Sequence, residues 1–192
     1  MYFGSRTRRS IAAIRQLGGG ILSRRSRWLP CLETADCVLL DGTGVADGDL
    51  QCLYDLQGLS GIKLRSTRVV GEFVGHLQSK STITFLDLGE SRFSDMYAAD
   101  LASLPWLQIL FLDQTPISAA GLRHLAALKL HTLALDGVGL TKDEILSLAP
   151  LRNGVSHLRL NGDSVSLEDQ WTIESVFSGG IVSWHYSAKD GA

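Results

Sequence analysis

Leu107-Gln108-Ile109-Leu110-Phe111-Leu112-Asp113-Gln114-Thr115-Pro116-Ile117 carries leucine at its first, fourth and sixth positions, a hydroxyl at its ninth and isoleucine at its eleventh. The alternation around Leu110 and Leu112 predicts a short strand with these two leucines on one face and Ile109, Phe111 and Asp113 on the other. Ser118 follows at a position suited to capping a helix, and Leu122, Leu125 and Leu128 then recur at helical spacing. This one stretch reads as strand, turn, capped helix and return.

Working outward in both directions, the same core recurs as Val38-Leu39-Leu40, Ile62-Lys63-Leu64, Leu86-Asp87-Leu88, Leu133-Ala134-Leu135, Leu158-Arg159-Leu160 and Trp184-His185-Tyr186. The separations along the chain are 24, 24, 24, 23, 25 and 26 residues. Thr43, Thr67, Ser91 and Thr115 share one phase; Ser94, Ser118, Thr141 and Ser166 share another, where a hydroxyl can cap the next helix. Thr141 with Glu144 reads as a capping box. A strand of about five residues and a helix of two to three turns each have a single apolar side, which one unit cannot bury alone. Stacking the units buries it, with parallel strands about 4.8 Å apart. The expected strands are 38–40, 62–64, 86–88, 110–112, 133–135 and 158–160 in one sheet, with Leu110 and Leu133 stacked in its spine.

The phase L-x-x-L-x-L-x-x-[TN]-x-[IL], continued by Ile117-Ser118-Ala119-Ala120-Gly121-Leu122, resembles the leucine-rich repeat family, most closely its bacterial members with repeats of 23–26 residues. The resemblance covers residues 35–186 as six full repeats and a terminal strand, followed by a tail at 187–192. It implies an α/β solenoid with a curved parallel sheet on the concave side and helices on the convex side. Two units depart from the pattern, one at Arg68-Val69-Val70-Gly71 and one with an insertion around Gln170-Trp171, and local irregularity is expected there.

Residues 1–34 form a different, basic segment. Ile11, Ile14 and Leu17 fall on one helical face, and Gly18-Gly19-Gly20 ends the helix. The expected role is a cap over the open apolar end of the first unit. The competing reading is a mitochondrial transit peptide, since the segment is rich in Arg and free of acid. Seven arginines lie within residues 1–28, which leaves 11 basic against 20 acidic residues elsewhere and a net charge of −2 overall. An acidic body repels phosphate, so nucleic acid is not the expected partner.

Three cysteines without paired spacing suggest neither a disulfide framework nor a metal site, and point to a reducing compartment, the cytoplasm. No apolar run is long enough to span a membrane. P-loop, HExxH, GxSxG and dinucleotide motifs are absent, so neither an enzyme nor a bound cofactor is expected. His124 and His131 are read as surface residues.

Strand residues flanking the core apolars point out of the sheet. One column reads Cys37, Gly61, Phe85, Ile109, Thr132, His157, Ser183; the next Leu39, Lys63, Asp87, Phe111, Ala134, Arg159, His185; the third Asp41, Arg65, Gly89, Asp113, Asp136, Asn161. Phe85, Ile109 and Phe111 make an apolar patch beside Asp87, Asp113, Asp136 and Arg159, with the aspartates open to a partner's Lys or Arg. The expected function is non-enzymatic binding of a protein or peptide by these seven residues. The alternatives are a structural or assembly subunit of a larger, mitochondrial complex and a substrate adaptor for an enzyme.

Overall fold

A computed structural model describes residues 5–25, 33–77, 82–163 and 165–186. Eight strands form one sheet in chain order: β1 (Gly20–Arg25), β2 (Glu33–Leu39), β3 (Gly61–Lys63), β4 (Phe85–Asp87), β5 (Ile109–Phe111), β6 (Leu130–Ala134), β7 (Val155–Asn161) and β8 (Ile181–His185). From β2 onward every pairing is parallel, and the crossovers carry helical segments, so the fold is α/β with a mostly parallel sheet.

The core register is the one the periodicity predicts: Val38, Ile62, Leu86, Leu110, Leu133 and Leu158 stand side by side, all buried. The short strands β3, β4 and β5 begin and end one residue earlier than expected. Leu64, Leu88 and Leu112 still donate their N–H groups to the next strand, at 2.8–2.9 Å, but two residues later the chain turns. At that turn Gly42, Ser66, Glu90, Gln114 and Gly137 all take left-handed φ, from 52° to 70°. Thr43, Thr67, Ser91 and Thr115 then donate their hydroxyls back to the carbonyls of Leu40, Leu64, Leu88 and Leu112 at 2.6–2.7 Å. The repeated hydroxyl thus gives a strand-end carbonyl a short bond in addition to the N–H of the same residue, which Leu40, Leu88 and Leu112 also accept at 3.2–3.3 Å.

The returns are shorter than two to three α-turns. They are α2 (Glu72–His76), α3 (Ala98–Leu101), α4 (Ala119–Arg123) and α5 (Lys142–Ser147), with 3-10 segments at Asp47–Asp55, Asp95–Tyr97, His124–Ala127 and Ala149–Asn153. The tighter 3-10 coil is slimmer than an α-helix, which eases the mismatch with closely spaced strands. Ser118 and Thr141 cap α4 and α5, the latter as the expected capping box, whereas Ser94 makes no side-chain cap bond. In the aberrant second unit Gly71 has φ 117°, and a Cβ there would lie 2.6 Å from the Phe93 ring. The other unit expected to be irregular instead contains the regular helix α6 (Leu167–Val176), capped by Ser166. Buried Gln170 donates there to the carbonyls of Gly162 and Val165 and accepts from the Tyr186 hydroxyl at 2.9 Å.

Two expectations are corrected. The last strand is displaced by two residues: Leu158 pairs with Val182, Arg159 with Ser183 and Asn161 with His185, because Val182 rather than Trp184 continues the spine. The N-terminal segment is more than a helix and a stop. Helix α1 (Ser5–Gln16) buries Ile14 in the common core, and Gly18, at φ 82°, turns the chain into β1, which pairs antiparallel with β2.

Candidate functional site

The face of the sheet turned away from the helices carries the predicted residues, and the register brings them together. Phe85 pairs with Ile109, and Asp87 with Phe111, across adjacent strands. Phe85, Ile109 and Phe111 are half-buried, not fully exposed. The rings of Phe85 and Phe111 meet edge to face with centroids 5.6 Å apart. Arg159 lies over Phe111, 5.4 Å from its centroid, and Lys63 over Phe85 at 5.8 Å. Ala134, between Phe111 and Arg159 in the same column, is completely covered.

The three aspartates are not a free acidic rim. Asp113 is 3% exposed; its Oδ2 accepts from Arg65 Nη2 at 2.5 Å and from Arg159 Nη2 at 2.9 Å, and its Oδ1 from the Asp136 N–H at 3.1 Å. Asp87 accepts from the Gly89 N–H at 3.0 Å and lies 3.6 Å from Arg65 Nε. Burial pushes the Asp87 carboxyl above its ordinary pKa, and neither the Gly89 N–H nor Arg65 offsets this fully. Arg159 Nε donates to Asp136 Oδ2. Glu90, at the exposed margin, accepts from Ser66 and from Arg65 Nη1 at 2.7 Å; these bonds hold its pKa below the ordinary value. The expectation that these carboxylates await a partner's cation therefore gives way to an internal network in which Arg65 and Arg159 are the cations.

Arg65 belongs to the third outward column, where periodicity alone does not distinguish it from its neighbours. Its reach depends on Gly89: a Cβ there would stand 2.5 Å from Arg65 Nη2, so the missing side chain is the gap through which the guanidinium crosses a whole strand to Asp113. A glycine between an arginine and an aspartate in one column is the signal. Asp136 keeps one atom in reserve. Among the described residues Oδ1 of Asp136 is the buried side-chain oxygen or nitrogen without a hydrogen-bond partner, and Asp136 lines a depression of about 570 Å³ with Gln114, Asn161 and His185.

Among the described residues no group of three His, Cys, Asp or Glu side chains is placed to hold a metal ion, and no helix is long and apolar enough to cross a membrane. Cys37 and Cys52 are free thiols whose pKa values burial raises; Cys31 lies outside the described residues. His124 and His131 are exposed. No protein-family model matches the chain, and no curated protein is significantly similar to it.

Proposed function

We infer that the chain is a leucine-rich repeat solenoid of bacterial type that binds a protein or peptide on its strand face and performs no catalysis of its own. The observation that carries this reading is the Phe85–Ile109–Phe111 cluster, apolar and only half-covered, in the middle of a sheet face on which Asp87, Glu90, Asp113 and Asp136 are already paired with Arg65 and Arg159. Apolar anchors ringed by polar groups are the usual centre of a protein contact. Lys63 and Arg159 hold the two rings from either side, so the cluster is ordered before a partner arrives and little rotamer freedom is lost on binding.

The non-catalytic reading rests on the sequence, which contains no nucleophile-and-base or cofactor-binding pattern. The incorporation of α1 and β1 into the core and sheet supports residues 1–34 as a cap in place of a cleaved leader. Affinity capture with identification by mass spectrometry, repeated with Phe111→Ala, tests the function. A partner held by the wild type should bind the variant about 2 kcal/mol more weakly. Capture unaffected by Phe111→Ala, with the variant still folded, would move the contact elsewhere.

A further inference from the structure

The two ends of the sheet are finished differently. At the first, β1 runs antiparallel to β2. At the other, among the described residues, β8 pairs with β7 alone, and Ile181-Val182-Ser183-Trp184-His185 contains no Lys, Arg or Pro. The Gly162 N–H donates to the His185 carbonyl at 2.7 Å, which turns the peptide groups of Ile181, Ser183 and His185 toward β7. By alternation those of Val182 and Trp184 face away from the sheet, unpaired among the described residues.

The helical layer is open at the same end. Lys142 of α5 meets Asp169 at 2.5 Å, which marks the side of α6 facing the rest of the molecule, while Gln170 and Ile173 face the core. At about 100° per residue, Leu167, Trp171 and Glu174 fall together on the side opposite Asp169. Trp184 Nε1 donates to Glu174 at 2.7 Å and ties that side to β8. Leu167 is 69% exposed, Trp171 73% and Ile181 66%, far more than the half-buried rings of the strand face.

We propose that this end joins a second copy of the chain, edge to edge through β8, in a two-fold symmetric dimer. An axis perpendicular to the sheet through Ser183 sets the two β8 strands antiparallel. Val182 of each copy then stands opposite Trp184 of the other, and these are the residues whose peptide groups are free, so the new ladder gains about four N–H···O bonds. Ile181 stands opposite His185. The same axis keeps both helical layers on one side of the sheet and brings the two Leu167–Trp171 faces together. A single axis thus satisfies the unpaired peptide groups and the exposed apolar helix side at once, which selects a second copy over an unrelated strand. The large side chains and edge strands of both copies supply roughly 1,200 Å² of contact, the lower bound of a specific interface. Head-to-tail addition of β8 to β1 would give an open filament.

Sedimentation equilibrium of the full chain between about 1 and 100 μM should give twice the 20.8 kDa chain mass at the upper end. Leu167→Glu with Trp171→Glu, at exposed positions that leave the core intact, should raise the dimer dissociation constant at least about tenfold while the circular dichroism spectrum is unchanged. The axis places the two Ser183 α-carbons about 4.5 Å apart, within disulfide range, so Ser183→Cys should cross-link to dimers under mild oxidation while wild type oxidised in parallel does not. Three results would each overturn the proposal: a monomer throughout, a dimer indifferent to the double variant, or assemblies beyond the dimer in which Ser183→Cys fails to cross-link.

Discussion

Phe111 shows how two demands share one side chain. Standing on the outward face, it reads as a pure contact residue whose removal leaves folding untouched. In the fold it also stacks on Phe85 and lies under Arg159, so Phe111→Ala should cost about 1–2 kcal/mol of stability besides weakening partner binding. Thermal unfolding beside partner affinity separates the two effects. Asp113, buried and accepting from two arginines, belongs to the fold and not to an association rim: Asp113→Asn should lower stability by about 1.5–3 kcal/mol in denaturant titration. Its neighbours carry opposite pH signatures. Glu90, with its folded pKa depressed, contributes stability that is present above its unfolded pKa and fades as pH falls through the folded one. Asp87, with its folded pKa raised, binds its proton more tightly in the folded state, so its ionisation opposes folding as pH rises above the ordinary value of 3.8. Between about pH 3 and 6, Glu90→Gln should therefore flatten the rise of stability with pH, and Asp87→Asn should steepen it. Equal slopes in both variants would show that neither carboxyl titrates as the geometry requires.

Each crossover element rests on its position in the strand spine. Leu110 and Leu133, adjacent and fully buried, should each cost about 2–5 kcal/mol as Ala, and losses below about 1 kcal/mol at both would contradict the register. Thr141→Ala removes the capping box of α5 and should cost about 1 kcal/mol, a smaller effect because the helix is held chiefly by Ile145 and Leu148 in the core. The strand register from Val38 to Leu158 was legible because each unit repeats an apolar pair at nearly constant spacing. The last strand was not: Trp184 and Tyr186 imitate the apolar pair two residues late, and only pairing with β7 shows that Val182 occupies the spine. The left-handed turn at Ser66, Glu90 and Gln114 also escaped the sequence, since these residues announce no such conformation as glycine does.

For the whole molecule, the N-terminal segment is the part whose role changes the biology. Helix α1 places Ile14 in the common core, and β1 extends the sheet past β2. Removing residues 1–28 should therefore leave an unstable or aggregating protein, seen as a lost cooperative transition on heating. A transit peptide would come off without that loss, and a truncated chain of unchanged melting temperature would restore that reading. The dimer axis would set two Phe85–Phe111 patches on the same side of one continuous sheet, so a bivalent partner would gain from effective concentration without any new contact.

By itself the sequence determined the α/β character, the order of strands β2 to β7 and which residue of each of these strands enters the core, because side-chain alternation and a repeat near 24 residues leave a single register in which the apolar face is buried. It also placed Phe85, Ile109, Phe111, Asp87, Asp113, Asp136 and Arg159 on one outward face. What only the tertiary structure decided is how these residues treat one another. Arg65 reaches Asp113 by crossing the gap at Gly89, and Arg159 bridges Asp113 and Asp136. Periodicity assigns a side chain to a face, but the length of an arginine and the absence of a Cβ on the neighbouring strand decide what it touches, and those distances exist only once the strands are stacked.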